Sequence, residues 1–428
     1  MTHMVELGAR EACAPQIRGW CPGALQPMQS GDGLLMRPKI LGSKLTLDQA
    51  SEIAGVARDC GNGRIDLSQR AQLQLRGLSE KCYAQALMRL ACAGLTAPDV
   101  GMEAALNILS SPLPGEADAL VESLAQAFAG DAELRNLPSK FLFLADDGAP
   151  GLADVLADIR LELREGGVSL VAEGARDIVA PVALTEAAEA AMALARAFIR
   201  LRTEAPFARR RMRALIAELG AEAVFREAGL GVAPRCDLQA RANPAAFIGA
   251  GTIGETWLAG LGVPYARLDA TQLSRLVVAA EDCGATELRL SPWRMILIPL
   301  PSCADAEHMV GAAGELGFIF DAQDPRLAIL ACSGAPECPQ ALGATRQRLE
   351  ELAPLAARLA REGLGLHVSG CAKGCARPAP APATLVARGE NLFDLVFDGD
   401  AGAQPSARGV GLEAAARLLA QRAEELGR

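Results

Sequence analysis

Four of the chain's twelve cysteines fall in two close pairs. Cys332 and Cys338 stand as C-x5-C in ACSGAPECPQAL, and Cys371 and Cys375 as C-x3-C in HVSGCAKGCARP, with 32 residues between the pairs. Four soft thiolates suit an iron–sulfur cluster or a structural zinc. Zinc sites favour tighter C-x2–4-C spacing. The remaining cysteines, Cys13, Cys21, Cys60, Cys82, Cys92, Cys236, Cys283 and Cys303, are scattered, mostly through apolar stretches. In a reducing compartment they read as small core residues. The chain has three histidines, His3, His308 and His367, so chemistry that needs several of them is strained.

A second set of residues is cationic. In SQRAQLQLR, residues Arg70, Gln72, Gln74 and Arg76 share one parity and so line one face of an extended segment. Two guanidiniums separated by amides favour an anion over a merely solvated face. Any such pocket is local, because the net charge is −9. That charge argues against a nucleic-acid partner.

The elements that must position these residues follow from an internal repeat. Residues 45–68, LTLDQASEIAGVARDCGNGRIDLS, match 268–291, LDATQLSRLVVAAEDCGATELRLS, at an offset of 223 without a gap. Thr46 with Gln49, and Asp269 with Gln272, predict capping boxes that open a helix. Gly61 and Gly284 mark the helix ends. A short hairpin should follow each helix, and a strand should precede each, Leu34 to Ile40 and Trp257 to Val263. Each copy is then a β-α-β-β unit, and two such units pair into one pseudo-twofold, ferredoxin-like domain. The second copy carries Trp293, Met295, Leu297 and Pro299 where the first has its polar face.

About 170 residues separate the repeats, with alanine-rich helices expected at 185–200 and 206–228. The cysteine-bearing domain comes last, with a turn at Pro378 to Pro382, strands at 384–387 and 392–397, and a helix over about 411–426. No apolar run approaches the 18–20 residues of a membrane span. The N-terminal segment carries acids and no apolar core, unlike a secretory signal. A cytoplasmic protein without a membrane partner is expected. Gly249 to Gly254 matches GxGxxG, but the repeat sets Gly254 opposite Gly31 at the entry to a strand, which argues against a nicotinamide site. Arg209, Arg210, Arg211 and Arg213 read as the solvated face of a helix, and His367 as a core histidine.

Over roughly residues 20–400 the chain resembles the nitrite/sulfite reductase superfamily, in which C-x5-C with a distant C-x3-C holds a [4Fe–4S] cluster. LSQRAQLQL is similar to that family's Thr-x-Arg-Gln-x-x-Gln strand, Asn107 and Pro112 to its Asn-x4-Pro segment, and LPSKF at 137–141 to its Leu-Pro-Arg-Lys-Phe strand. The resemblance implies an α+β fold of four parts: a ferredoxin-like half-domain at 20–93, a tetrapyrrole-binding α/β domain at 94–240, a second half-domain at 241–310 and an iron–sulfur α/β domain at 311–428. It implies Cys332, Cys338, Cys371 and Cys375 as cluster ligands. It implies Arg70, Gln72, Gln74, Arg76, Lys140 and Lys373 as groups that bind a tetrapyrrole, with Arg37, Lys39 and Arg294 as weaker candidates. An alternative reading of Lys373 is charge compensation of the cluster.

The departures matter. Ser139, Leu142 and Leu106 stand where sirohaem reductases carry cations, and Lys373 replaces an asparagine. CPGALQPMQSGDGLLMRP, SQRAQLQLRGL, NILSSPLPG and SGCAKGCARP instead look like one branch of the superfamily, the precorrin-3B synthases. That branch implies O2-dependent oxidation of precorrin-3A in aerobic cobalamin biosynthesis, with C20 hydroxylation and γ-lactone formation. It implies a mononuclear non-haem iron, an external electron donor (a reductase or ferredoxin) and no sirohaem. The alternative is a sirohaem- and [4Fe–4S]-dependent sulfite or nitrite reductase.

Overall fold

The structure is a computed structural model and describes residues 19–149, 151–203, 208–236 and 244–427. His3, Cys13 and the N-terminal segment read for a signal lie outside the described residues. Two compact units are present, residues 19–324 and 325–428.

In the first unit both predicted capping boxes form. Thr46 and Gln49 open the helix Leu47–Cys60, and Asp269 and Gln272 open Ala270–Asp282. The two caps also use their glutamines alike: Gln49 Nε2 donates to Ala93 O and Gln272 Nε2 to Leu316 O, positions again 223 apart. The hairpins follow as predicted, Arg64–Leu67 with Leu73–Leu78 and Glu287–Leu290 with Met295–Leu300. Their turns are copies, with Ala71 and Arg294 both at positive φ (50° and 63°).

The two repeats interleave. One five-stranded sheet contains Met28–Ser30, Gly33–Met36, Leu73–Leu78 and Arg64–Leu67, and its fifth strand, Arg267–Asp269, comes from the other repeat. The second sheet contains Gly249–Ile253, Thr256–Gly262, Met295–Leu300 and Glu287–Leu290, and it borrows Lys44–Thr46. Leu268 lies opposite Ile65 and Leu45 opposite Leu288, and all four are buried. The paired helices Leu47–Cys60 and Ala270–Asp282 contact each other and share one apolar core with both sheets. This exchange is why halves more than 200 residues apart make one body. The expected boundary at 310/311 falls inside the helix Cys303–Glu315, and Ile319 still pairs with Gly262.

The intervening segment forms a six-stranded sheet in the order Ala233–Pro234, Ala175–Val182, Gly167–Ala172, Ile159–Arg164, Phe143–Asp146 and Ile108–Ser110. The last three run parallel. The helices Glu116–Ala129 and Ala187–Arg202 pack on it, with Phe128, Phe141, Phe143 and Phe198 fully buried. The basic run at 209–213 differs from its expectation. Its helix begins only at Met212, Arg209 is buried against Glu218, and Arg211 pairs with the buried Asp158. Gly249 to Gly254 is a strand and its turn, with no helix after it. Among the described residues no helix is long and apolar enough to cross a membrane.

The unit 325–428 is a five-stranded sheet in the order Ile329–Ala331, Leu366–Ser369, Ala381–Gly389, Leu392–Gly399 and Ala407–Gly411. The first three strands are parallel. The helix Leu349–Leu359 makes the crossover and packs with the final helix Leu412–Glu425. His367 is fully buried in its strand.

Candidate functional site

The parallel pairing of Ile329–Ala331 with Leu366–Ser369 brings the distant cysteine pairs together. Ala331 is in register with Val368, so the loops after both strands leave the same end of the sheet. Outside the carboxyl ends of parallel strands is where open α/β sheets place ligands. Cys332 follows the first strand directly, and its N–H donates to Val368 O (3.1 Å). Gly370 N donates to Cys332 Sγ (3.1 Å), Leu342 N to Gly370 O (2.8 Å) and Thr345 Oγ1 to Cys332 O (2.6 Å).

These loops have no room for larger residues. A Cβ on Gly370 would lie 2.7 Å from Ala341 Cβ, and Gly374, between Cys371 and Cys375, has φ 61°. The four thiols sense one another. Burial pushes Cys375 up to about 11, and the Cys332, Cys371 and Cys338 sulfurs add to it against the lowering charge of Lys373. Cys371 is raised for the same first reason, while the Lys373 N–H and ammonium act to lower it. Crowded thiols that resist ionisation alone are suited to a cation that takes them as thiolates. Four convergent soft donors in a glycine-walled cradle therefore fit a [4Fe–4S] cluster. Lys373, exposed between two of them, stabilises their anionic form.

The first unit carries a cationic pocket. It is lined by residues of the 21–26 strap, by Arg37, Lys39 and Gln72, and by Glu103, Asn107 and Ser139 from the central domain. Arg37 and Lys39 follow the strand Gly33–Met36. The Lys39 N–H donates to Leu95 O (2.7 Å) and its Nζ to Glu103 O (2.8 Å). Burial, then the neighbouring Arg37, lowers Lys39 to about 7, against the raising effect of Glu103. Burial also lowers Arg37, whose guanidinium is bonded to the Cys21 thiol while its Nε makes no hydrogen bond.

The residues expected to bind a tetrapyrrole are distributed as follows. Arg70 Nη2 donates to Lys140 O (2.9 Å), which sets the two cations side by side. Arg70 is lowered to about 10 by burial and by Arg211 and Arg37, so it remains charged in a field that favours an incoming anion. Gln72 Nε2 donates to Ile40 O (2.9 Å). Asn107 Nδ2 ties Ser139 O (3.3 Å) and Phe141 O (3.2 Å) to its own segment. Gln74 is half-buried on the same hairpin. Arg76 differs from the open face its parity suggested. It is 2% exposed, with Nε 3.0 Å from Asp32 and Nη1 3.4 Å from Asp66, so carboxylates of this chain already hold it. Lys373 belongs to the other unit, with the cysteines. Arg294 forms the turn of the second hairpin and is buried.

Glu103 was not singled out from the sequence. It is 6% exposed, and its carboxylate accepts from Ala24 N (2.9 Å) and Leu25 N (3.0 Å). A Cβ on Gly23 would meet its Oε2 at 1.9 Å, which explains the glycine of CPGALQ. No periodicity marks such an acid, because its partners are backbone amides 78 and 79 residues away. Among the described residues, no group of three or more His, Cys, Asp or Glu side chains converges as it would on one metal ion, so the expected mononuclear iron receives no ligand set.

These features define a class. The nitrite/sulfite reductase ferredoxin-like half-domain model matches residues 26–90. The structure of Mycobacterium tuberculosis NirA protein superposes with a TM-score of 0.68 at 20% identity, over 89% of this chain and 77% of that one, so the fold is that of a nitrite/sulfite reductase. Within that class, a ferredoxin–nitrite reductase of Synechococcus elongatus is 28% identical over 82% of this chain and 76% of its own length. A precorrin-3B synthase of Sinorhizobium is 32% identical over 92% of this chain and 86% of its own length. The chain belongs to the precorrin-3B synthase family.

Proposed function

We propose that this protein oxidises precorrin-3A to precorrin-3B with O2, in aerobic cobalamin biosynthesis. One oxygen atom becomes a hydroxyl at C20, and the ring-A acetate closes a γ-lactone at C1. The observation that carries this reading is the family membership, which spans both the thiol-bearing unit and the cationic pocket. Leu106 and Leu142 support it. They are buried apolar residues where the reductases of the superfamily carry cations for an oxyanion.

Cys332, Cys338, Cys371 and Cys375 would hold a [4Fe–4S] cluster, which supplies electrons one at a time. With no nicotinamide fingerprint in the chain, those electrons come from a separate reductase or ferredoxin. A mononuclear non-haem iron for O2 is part of the same reading. Arg70 and Lys140 meet carboxylates of the substrate, and Gln72 and Gln74 offer amides to carboxylate or pyrrole N–H groups. Lys373 balances the charge of the thiolates.

The test is purification without air, followed by iron and acid-labile sulfide assays and an absorption spectrum. The expected result is iron and sulfide in cluster proportion, iron somewhat in excess, and no haem Soret band. A strong Soret band with chlorin bands would replace this reading with a sirohaem-dependent reductase.

A further inference from the structure

The cationic pocket is narrow. Its free volume is about 30 Å³, where one water needs roughly 10–15 Å³. It admits a group the size of one carboxylate, not a macrocycle. Its walls are unusual for a space so small. Arg37 and Lys39 approach it two residues apart, and Arg37 Nε is buried without a hydrogen bond. A buried donor left unbonded marks a place for a ligand atom. Glu103 contributes no charge to the opening, because its carboxylate is turned to the amides of Ala24 and Leu25. Tyr83 Oη holds the same strap by donating to Leu25 O (3.0 Å). At the rim, Val100 is 44% exposed, an apolar surface beside a charged opening.

We propose that this pocket is a subsite for a single carboxylate arm of the tetrapyrrole, gripped by Arg37 and Lys39, with the ring edge resting on Val100. Glu103 acts as a positioning residue that keeps the Cys21–Gln26 strap in place as one wall. The inference rests on the proposed substrate class and adds which part of the substrate enters here. Lys39 is neutral in much of the empty protein above about pH 7, and a carboxylate beside it restores its proton. Binding is therefore coupled to proton uptake. The titratable and charged groups that face Lys39 are Arg37, Glu103 and Cys21 on the pocket side, and Lys44, Asp118 and Glu122 along the wider groove behind it.

The experiment uses the anaerobically purified holoprotein and two probes, uroporphyrin III, a metal-free tetrapyrrole with carboxylate arms, and its methyl ester. Binding is followed by fluorescence, and proton uptake by calorimetry in buffers of different ionisation enthalpy. Lys39→Met should weaken uroporphyrin binding at least about tenfold and leave ester binding unchanged. Lys39→Arg should keep most of the affinity and lose the proton uptake seen in the wild type near pH 8. Iron content and thermal midpoint report whether each variant is folded, and Lys39→Arg alone decides the matter should Lys39→Met not fold. Equal binding of acid and ester by the wild type, or unchanged proton uptake in Lys39→Arg, overturns the proposal. Wild-type protein that binds uroporphyrin through Lys39 but does not turn over precorrin-3A would remove the reaction and leave the subsite.

Discussion

Lys39 is held against its own preference for charge. Its pKa of about 7 lies below the ordinary 10.5, so between those values the folded state binds fewer protons than the unfolded one. Stability then rises with pH across that window, and the penalty is fully present below it. The prediction is a comparison: the stability of the wild type relative to Lys39→Met grows as pH is raised from about 7 to about 10, read by urea denaturation. A difference that is flat or falls with pH would contradict a neutral, buried Lys39. At this scale the sequence was informative where chemistry is written in residue type. The four cysteines and the Arg70–Lys140 neighbourhood carry their meaning in spacing and motif. Arg76 and Glu103 do not, because burial depends on what the rest of the chain places opposite. Parity set Arg76 on a polar face, but only the fold brings Asp32 and Asp66 to it.

Among elements, the repeat makes a controlled comparison possible. Thr46 and Asp269 cap equivalent helices by the same reciprocal bonds, Thr46 Oγ1 to Gln49 N at 3.1 Å and Asp269 Oδ1 to Gln272 N at 2.8 Å. Thr46→Ala and Asp269→Ala should each cost about 1 kcal/mol, measured by urea denaturation, with no change in iron content. Gly23→Ala is expected to be worse than either, because its new methyl collides with Glu103. The outcome is a displaced strap and a lower thermal midpoint. Helix starts were legible because a capping box is local, four residues long and specific. The borrowed strands were not. Lys44–Thr46 and Arg267–Asp269 are three residues each and pair across a sequence distance of about 200, which no local pattern encodes. The arginine run misled for a related reason: Arg211 supplies the N-cap position rather than a face of the helix.

For the whole molecule, strand exchange predicts that the first half-domain is not an independent folding unit. Residues 19–95 alone lack the strand Arg267–Asp269 that covers the edge of Arg64–Leu67. That fragment should show no cooperative unfolding transition, and adding residues 244–324 should restore one. A cooperative transition in 19–95 alone would contradict the interleaved arrangement. The match of the half-domain model to residues 26–90 therefore describes a sequence module that folds only with its partner. The overall plan was legible from the repeat and the cysteine pairs. The way the parallel strands bring those pairs together required the register of Ala331 against Val368.

The central claim is that O2 supplies an oxygen atom to precorrin-3A. The most direct measurement is mass spectrometry of the product formed by the holoprotein from precorrin-3A under 18O2, with a reductase or ferredoxin as electron donor. The account predicts a product heavier by one 18O atom, with the label in the C20 hydroxyl and none in the lactone ring oxygen, which comes from the acetate. A product without 18O, or no product from a protein that instead reduces sulfite or nitrite, would contradict it.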